Sequence, residues 1–462
     1  MNKNIFKNKA TFFLMGSIIV LSSCNTIQKA YQRPEGITDG IYRDITEQDS
    51  TSIASVPWRE MFTDEILQSL IKEAIENNFD LQVATARIKQ AQANFKQSRS
   101  ALLPTLNADA DATYSSNGGL SDYIQTYGLS LSAGWELDIW GKLRSSKRAY
   151  LNALLESEAY KQSVQTQLVA DVASYYYTLL AYDKQLSILE ETLDTYVKDV
   201  ETMQYLMENN TITGADLAQS EANRYSAEVA IPELKQSIKE TENSLCLLLG
   251  RVPGKVERAT LEKQEITSDL KVGVPAQLLA NRPDVQEAEF TLRYYAEMTN
   301  VARAYFYPSL SVTAEGGLNS ATLADFFNAS SIFSNLIGGL TGPIFNQREN
   351  RQRLEVAKAQ QEEYLATFKQ TVISAGIEVS NALYAYQVST EKMGIRAKQL
   401  ASLEKAVDYT KKLLQYSSST NYTDVLTSEQ NLLSVQLNSV EDKLDQLISV
   451  IDLYRSLGGG IY

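Results

Sequence analysis

Apolar and polar residues alternate along two pairs of short segments, at about 105–139 and about 309–345. In the first segment, alternate positions from Leu106 to Tyr114 are apolar, and those between them are polar. The second segment, from Tyr127 to Ile139, follows the same rule. The pattern predicts two strands in each pair, each with one apolar and one polar face. It is typical of outer-membrane barrel strands and equally of a half-buried soluble sheet.

Two features favour the barrel. The polar faces are acidic, as a water-filled lumen requires, and aromatic residues lie near the strand ends, where aromatic girdles occur. The acidic residues are Asp109, Asp111, Glu136 and Asp138, and the aromatic residues are Tyr127, Trp135 and Trp140.

One very long helix is predicted after each strand pair. After Gly141 the chain has no proline or glycine as far as about 209, and from about 347 to 415 only Gly376 and Gly394 interrupt. Helices of this length usually need coiled-coil partners. Apolar residues recur at alternating spacings of three and four, which predicts a packing seam rather than a binding site. They are Leu186, Leu189, Leu193, Tyr196, Val200, Met203 and Met207, repeated by Leu400, Leu403, Val407 and Leu414.

The chain is internally duplicated. Short anchors recur in the same order and at nearly constant separation: Pro104-Thr105-Leu106 with Pro308-Ser309-Leu310, Asp216-Leu217 with Asp424-Val425, and Leu249-Gly250 with Leu457-Gly458. Each copy is expected to contain a helix, two strands, a long helix, a tip turn and a closing helix. The predicted domains are a signal peptide (1–23), an extended tether (24–60), a first repeat (61–260, tip about 208–216) and a second repeat (261–462, tip about 416–424).

Barrel closure requires more than one chain. Four strands per chain cannot close a barrel, and open edges in a bilayer leave backbone groups unpaired at several kcal/mol each. Two chains give eight strands, which side chains can fill, whereas three give twelve and leave a lumen. A duct therefore favours a homotrimer.

The N-terminus predicts secretion and lipidation. Three lysines precede an apolar run from Ala10 to Leu21, which is too short for a mature spanning helix. The run ends in Leu21-Ser22-Ser23-Cys24, which resembles a bacterial lipobox. Cys24 is therefore the predicted lipidation site, because several acyl chains together anchor a protein firmly. The alternative is an ordinary signal peptide with an incidental cysteine.

Composition excludes several classes of function. The 462 residues contain no histidine, which removes Ser–His triads and most zinc sites. Two cysteines are too few for a disulfide framework, and a net charge of −13 argues against a nucleic-acid partner. We expect no catalytic residue, metal or cofactor, and hence no enzyme.

Four segments resemble the TolC-like outer-membrane efflux factors, and within them the OprM-type lipoproteins. They are Trp58 to Ala93, Trp135 to Ala149, Leu278 to Glu289 and Leu457-Gly458-Gly459-Gly460. The resemblance implies an α+β fold in which three chains form a twelve-stranded outer-membrane barrel on a periplasmic α-helical tunnel. It also implies docking to a periplasmic membrane-fusion adaptor and an inner-membrane RND pump. From the residues alone, Pro283 and Asp284 are interpreted as a helix start.

The two tip turns are the candidate functional site. The resemblance implies that acidic residues of the second tip form a constriction ring, and Asp424 matches one such position. A second position, often Asp in the family, is Thr427 here. A basic residue that locks some members is replaced near Thr420 or Asn421, so we expect a less charged gate. The candidate gate residues are Asp424, Thr427 and Tyr416, and the candidate tip residues are Asn210, Gly214, Asp216 and Asn421. Stabilisation of a helix start is the preferred role for Asp216 and one of two open roles for Asp424.

The predicted function is the outer-membrane exit duct of a tripartite RND-type efflux system for multiple drugs or other small molecules. Two alternatives stay open: the exit channel of a protein-secretion system, and a lipid-anchored periplasmic coiled-coil scaffold carrying a soluble sheet. The lipobox and the Arg282-Pro283-Asp284-Val285 segment favour the efflux branch over secretion, and lumen-facing acids argue against the scaffold.

Overall fold

The computed structural model describes residues 28–42, 52–116, 123–264, 273, 277–416 and 422–461. Its contacts divide the chain into two compact units. One unit contains the chain up to Glu35, Arg87–Glu158 and Glu287–Lys369, and the other contains Gly36–Ala86, Ala159–Gln286 and Gln370–Tyr462. Each unit therefore draws on both halves of the duplicated sequence.

Helices dominate the described chain. The first half contains α1 (Trp58–Met61), α2 (Glu65–Asn77), α3 (Phe79–Ser100), α4 (Lys142–Glu208) and α5 (Gly214–Leu248). The second half contains α6 (Leu278–Asn281), α7 (Pro283–Ala304), α8 (Glu349–Tyr416) and α9 (Tyr422–Ser456). The duplication predicted from the sequence is confirmed by lengths: α3 and α7 have 22 residues each, α4 and α8 have 67 and 68, and α5 and α9 have 35 each. Among the described residues, no helix is both long enough and apolar enough to cross a membrane.

Four antiparallel strands form one sheet in sequence order. They are β1 (Thr105–Ser116), β2 (Tyr123–Leu137), β3 (Ser309–Ser320) and β4 (Ile332–Thr341). The predicted strands are confirmed, although β4 ends before Ile344 and Phe345. Residues 117–122, between β1 and β2, lie outside the described residues.

The strand register places the alternating residues on common faces. Leu106 pairs with Ala133, Ala133 with Ala314, and Ala314 with Leu336, so an apolar row crosses all four strands. The next row, Asn107, Ser132, Glu315 and Asn335, is polar throughout. Directly paired residues of antiparallel strands share a face. One face of the sheet is therefore apolar and the other polar.

The acidic residues at the end of β2 differ from expectation. Asp138 lies beyond the strand and accepts hydrogen bonds from the backbone N–H groups of Leu143 and Arg144, at 2.9 Å each. The carboxylate satisfies free N–H groups at the start of α4, which explains why it points there. Glu136 forms a 2.6 Å ion pair with Lys142. The expectation of four lumen-facing acids was therefore wrong for Asp138.

The two tryptophans at this end of the sheet hold strands to neighbouring segments. The indole N–H of Trp135 donates to the carbonyl of Leu102 at 3.0 Å. That of Trp140 donates to Pro308 at 2.7 Å, and its ring lies 5.0 Å from the ring of Tyr307. Trp140 therefore joins the two strand pairs where β2 ends and β3 begins.

The predicted apolar seam is confirmed as packing. Along α4, Leu189, Tyr196, Val200 and Met203 are buried in a single chain, and the remaining members are half-buried. Burial of such side chains contributes about 1.5–3 kcal/mol each. The seam is core, as the periodicity indicated.

Two segments that carry the family resemblance pack against each other. Pro283 begins α7, as predicted. The guanidinium of the buried residue Arg282 binds Asp284, binds Glu378 at 2.9 Å, and donates to the carbonyl of Ser456 at 2.9 Å. Gly458 has φ +94°, and a side chain there would lie 2.3 Å from the carbonyl oxygen of Asn281. The terminal glycines therefore allow the C-terminus to approach this helix start.

The described residues of the segment that was interpreted as a tether contact helices of the protein. Arg33 forms a bidentate pair with the buried carboxylate of Glu289, at 2.9 and 2.6 Å. Ile41 crosses α8 beside Gly376, where a Cβ would meet the Cβ and the carbonyl oxygen of Ile41, each at 2.9 Å. The glycine therefore leaves room for the backbone of the N-terminal segment.

Candidate functional site

The first tip turn, which we call the outer tip, connects α4 to α5. Asn210 adopts a left-handed conformation with φ +52°, and the N–H of Thr211 donates to the carbonyl of Leu206 at 2.9 Å. A left-handed residue after a helix satisfies its last carbonyls, and asparagine tolerates that conformation. Gly214 is the first residue of α5, and a Cβ added there would meet no atom within 4 Å. Asn210 therefore shapes the turn, whereas position 214 has room for a side chain and no positive φ that would require glycine.

Asp216 stabilises the start of α5. Its Oδ2 accepts from the N–H of Thr213 at 2.9 Å and from the Thr213 hydroxyl at 2.7 Å, and its own N–H donates back to that hydroxyl at 3.4 Å. This is a capping box. The Thr213 hydrogen bonds lower the pKa of Asp216. The preferred sequence interpretation of this residue, helix stabilisation, agrees with this geometry.

The second tip turn, which we call the inner tip, connects α8 to α9. Tyr416 is the last residue of α8, and its side chain is 85% exposed. Asn421 and the rest of residues 417–421 lie outside the described residues, so the tip turn is represented by its two ends. Helix α9 begins at Tyr422.

The first turns of α9 have two distinct faces. Asp424 and Thr427 are exposed, one helical turn apart. Tyr422, Leu426 and Glu429 are buried on the opposite side. The structure therefore brings two of the three candidate gate residues, Asp424 and Thr427, onto one exposed face, and the other face packs within the chain.

Contacts at the start of α9 hold the inner tip against α4 and α5, which together form the outer hairpin. The Tyr422 hydroxyl donates to Asp199 Oδ1 on α4 at 3.2 Å. The Thr423 hydroxyl donates to Asp216 Oδ1 on α5 at 3.5 Å. Tyr422 also joins an apolar cluster with Met203 and Leu426, against which Ile212, Leu217 and Leu414 pack. The turn that carries Asp424 is therefore fixed by contacts on both sides of that residue.

A buried carboxylate, which the sequence analysis did not identify, lies behind the same helix. Glu429 is 6% exposed, and its Oε1 lies 2.5 Å from Nζ of Lys411 on α8. Burial raises the pKa of Glu429 to about 7; Lys411 opposes the shift and Asp199 adds to it. The signal was visible, because Glu429 occupies a core position in the helical period of Tyr422, Leu426 and Leu433. The partners of Glu429 lie on other helices, Lys411 on α8 and Asp199 on α4, so the helical period of α9 could not predict them.

Within the described residues, no group of three or more Asp, Glu, His or Cys side chains is placed to hold a metal ion. Within the described residues, Cys246 is buried and forms no disulfide bond. Its thiol lies 3.4 Å from the carbonyl oxygen of Gly254.

Comparison with known families decides the assignment of this fold. The family model described as outer membrane efflux protein matches residues 70–251 and again residues 274–459. The chain belongs to the outer membrane efflux protein family. The two matches fall on the two halves of the duplicated sequence.

Individual members of the family resemble the chain over most of its length. The cation efflux system protein CusC of Escherichia coli is 31% identical, over 87% of this chain and 88% of its own. The probable outer membrane lipoprotein SilC of Salmonella typhimurium is 28% identical, over 98% and 99%. The chain therefore spans nearly the full length of these relatives.

Solved structures of family members have the same fold. A crystal structure of CusC matches with a TM-score of 0.84 at 28% identity, covering 94% of this chain and 99% of that one. The open state of the MtrE outer membrane channel of Neisseria gonorrhoeae matches with a TM-score of 0.85 at 26% identity, covering 94% and 98%. Both neighbours are channels: CusC forms a transmembrane channel, and MtrE is an outer membrane channel. The chain has the fold class predicted from its sequence and is an outer-membrane efflux duct, which places efflux ahead of secretion and of the scaffold.

Proposed function

We propose that the chain forms a homotrimer that docks to a periplasmic membrane-fusion adaptor and an inner-membrane RND pump, and that it releases their small-molecule substrates across the outer membrane. Support for the trimer comes from the sheet, whose outer strands β1 and β4 each have one unpaired edge within the described chain. Closing those edges with neighbouring chains satisfies backbone groups that a bilayer leaves unpaired.

The apolar face of the sheet supports the same arrangement. Leu106, Leu131, Leu336 and Leu340 lie on it and are each more than half exposed in a single chain. Contiguous apolar surface of this kind marks a membrane or protein contact. In the proposed trimer this face meets lipid and the polar face lines the lumen.

Lipidation of Cys24 is part of the proposal, although this residue lies outside the described residues. The Leu21-Ser22-Ser23-Cys24 boundary supports it. A relative of similar length, SilC, carries the word lipoprotein in its name. The acyl chains would anchor the N-terminus in the outer membrane, with the helices in the periplasm.

The proposed gate lies at the inner tips, and a single observation carries it. Asp424 and Thr427 share the exposed face at the start of α9, and the preceding residues Tyr422 and Thr423 are fixed to α4 and α5. Three copies of this face around one axis bring three carboxylates together. Like charges in a confined space attract counter-ions, so the ring should bind cations. Thr427 and Tyr416 would add neutral walls, giving a less charged gate.

Planar-bilayer recordings of the purified full chain test the gate. Asp424→Asn removes the charge with little change of shape, and should weaken block by a multivalent cation added from the periplasmic side. The matched control is Glu208→Gln, which removes an exposed carboxylate from the outer tip. The difference should shrink in 1 M salt, where the Debye length falls to about 3 Å. Equal effects of the two substitutions, or no effect of Asp424→Asn, would refute the ring.

A further inference from the structure

Four polar side chains from three helices meet behind the proposed gate. Asp199 comes from α4, Lys411 from α8, and Tyr422 and Glu429 from α9; we call these four the tip latch. Glu429 pairs with Lys411 at 2.5 Å, and Asp199 accepts from the Tyr422 hydroxyl at 3.2 Å. Glu429 also lies within hydrogen-bonding reach of Asp199. The four residues therefore form one connected polar cluster.

The surroundings of the tip latch contain few other ionisable groups. A cavity of about 240 Å³ adjoins Glu429 and Lys411, and its lining includes Tyr196 and Glu191 of α4. On α5, the apolar residue Leu217 packs beside Tyr422, and the carboxylate of Asp216 accepts from the Thr423 hydroxyl on the exposed side. Glu191 accepts a hydrogen bond from Ser187. The balance at the centre is thus two carboxylates against one ammonium group.

This arrangement lacks hydrogen-bond donors. Apart from the Lys411 ion pair, the buried oxygens Asp199 Oδ2, Glu429 Oε1 and Glu429 Oε2 receive no hydrogen bond from the described residues. Two ionised carboxylates in contact repel each other, and a buried acceptor without a donor costs about 1–3 kcal/mol. One proton between Glu429 and Asp199 lowers both penalties, because it supplies a donor and cancels one negative charge.

We propose that the tip latch is a buried proton-binding site, in which a proton shared by Glu429 and Asp199 fastens the inner tip to the outer hairpin. The consequence for flow rests on the proposed gate, since Asp424 lies between Tyr422 and Glu429 on α9. Acid strengthens the latch and holds the face of Asp424 in place. At high pH the proton dissociates, and repulsion between the two ionised carboxylates then destabilises the packing of α9 against α4.

The sign and size of the pH effect follow from linkage. The pKa of Glu429 in the packed state is about 7, against an ordinary value of 4.5. The packed state therefore gains stability as pH falls through 7, and the gain is complete below about 4.5. Between pH 8 and pH 5.5 the packed state should be favoured by roughly 25-fold. Burial raises the pKa of Tyr196 to about 12 and also raises that of Tyr422, so both phenols stay protonated throughout.

Hydrogen–deuterium exchange of the full chain in lipid nanodiscs tests the proposal. Exchange of the peptide covering residues 422–429 is measured from pH 5.5 to 8 and corrected for the intrinsic pH dependence of amide exchange. In the wild type, the corrected rate should rise roughly 25-fold, with a midpoint near pH 7. Glu429→Gln keeps a donor at that position and should exchange slowly at every pH. The control Glu441→Gln, at an exposed position of the same helix, should behave as wild type.

A second variant gives a directional test. Lys411→Met removes the cation that holds the Glu429 pKa down, so the midpoint should move to higher pH. A pH-independent wild type, a Glu429→Gln variant that keeps the pH response, or an unchanged midpoint in Lys411→Met would overturn the proposal. The outcome is separate from that of the gate: loss of cation block in Asp424→Asn tests the ring alone, and the exchange profile tests the latch alone.

Discussion

Gly376→Ala tests the contact between the N-terminal segment and α8. A Cβ at this position would lie 2.9 Å from both the Cβ and the carbonyl oxygen of Ile41, so the segment must move. Overpacking of this kind costs about 1–3 kcal/mol. Alanine also stabilises a helix by about 1 kcal/mol relative to glycine, which partly offsets that cost.

Gly394→Ala isolates the two contributions. Gly394 lies in the same helix and has no atom within 4 Å of a Cβ, so this variant reports helix propensity alone. It should be about 1 kcal/mol more stable than wild type, whereas Gly376→Ala should lie about 1–3 kcal/mol below Gly394→Ala. Guanidinium unfolding of the detergent-solubilised protein measures the difference.

Exchange of the peptide covering residues 36–42 locates the cost. It should lose protection in Gly376→Ala and keep it in Gly394→Ala. Adding Ile41→Gly to Gly376→Ala removes one of the two clashing atoms and should restore part of the lost stability. Equal stability of the two alanine variants, with residues 36–42 equally protected in both, would refute the assigned role of Gly376.

Three further predictions address the anchor, the seam and the packing of the C-terminus. Cys24→Ser should abolish labelling by radioactive fatty acid in cells, and unchanged labelling would exclude Cys24 as the lipidation site. Leu193→Asp places a charge in the half-buried seam of α4, so the yield of oligomer on a size-exclusion column should fall, because burying an unpaired charge is costly; Leu193→Met is the control. Arg282→Met removes the buried partner of two carboxylates that are themselves about a third exposed, Asp284 and Glu378, and leaves the carbonyl of Ser456 without its donor. It should lower the free energy of unfolding by about 1–3 kcal/mol, and an unchanged value in a denaturant titration would contradict that role.

The elements of the fold could be predicted from sequence because their signals are local. Alternation from Leu106 to Tyr114 predicts a strand, and the spacing from Leu186 to Met207 predicts a buried helical stripe. Pro283 marks a helix start by its fixed φ. Each of these inferences depends on residues within a few turns of one another.

The contacts that the sequence did not reveal join distant parts of the chain. Nothing near Gly376 indicates that Ile41 will cross it. Asp138 looked like a strand residue because it continues the alternation, yet the free N–H groups of the next helix attract it. Glu429 meets Asp199 only after helices have packed. Pairings of this kind depend on tertiary packing, which the local period does not encode.

The most direct test of an outer-membrane duct combines mass and conductance in one preparation. The mass of the assembly formed by the purified full chain is measured by native mass spectrometry in detergent, and the same protein is then reconstituted into planar bilayers. We predict an assembly of three chains that conducts ions, with cation block that depends on Asp424. A stable single chain that leaves the bilayer non-conducting would contradict the account.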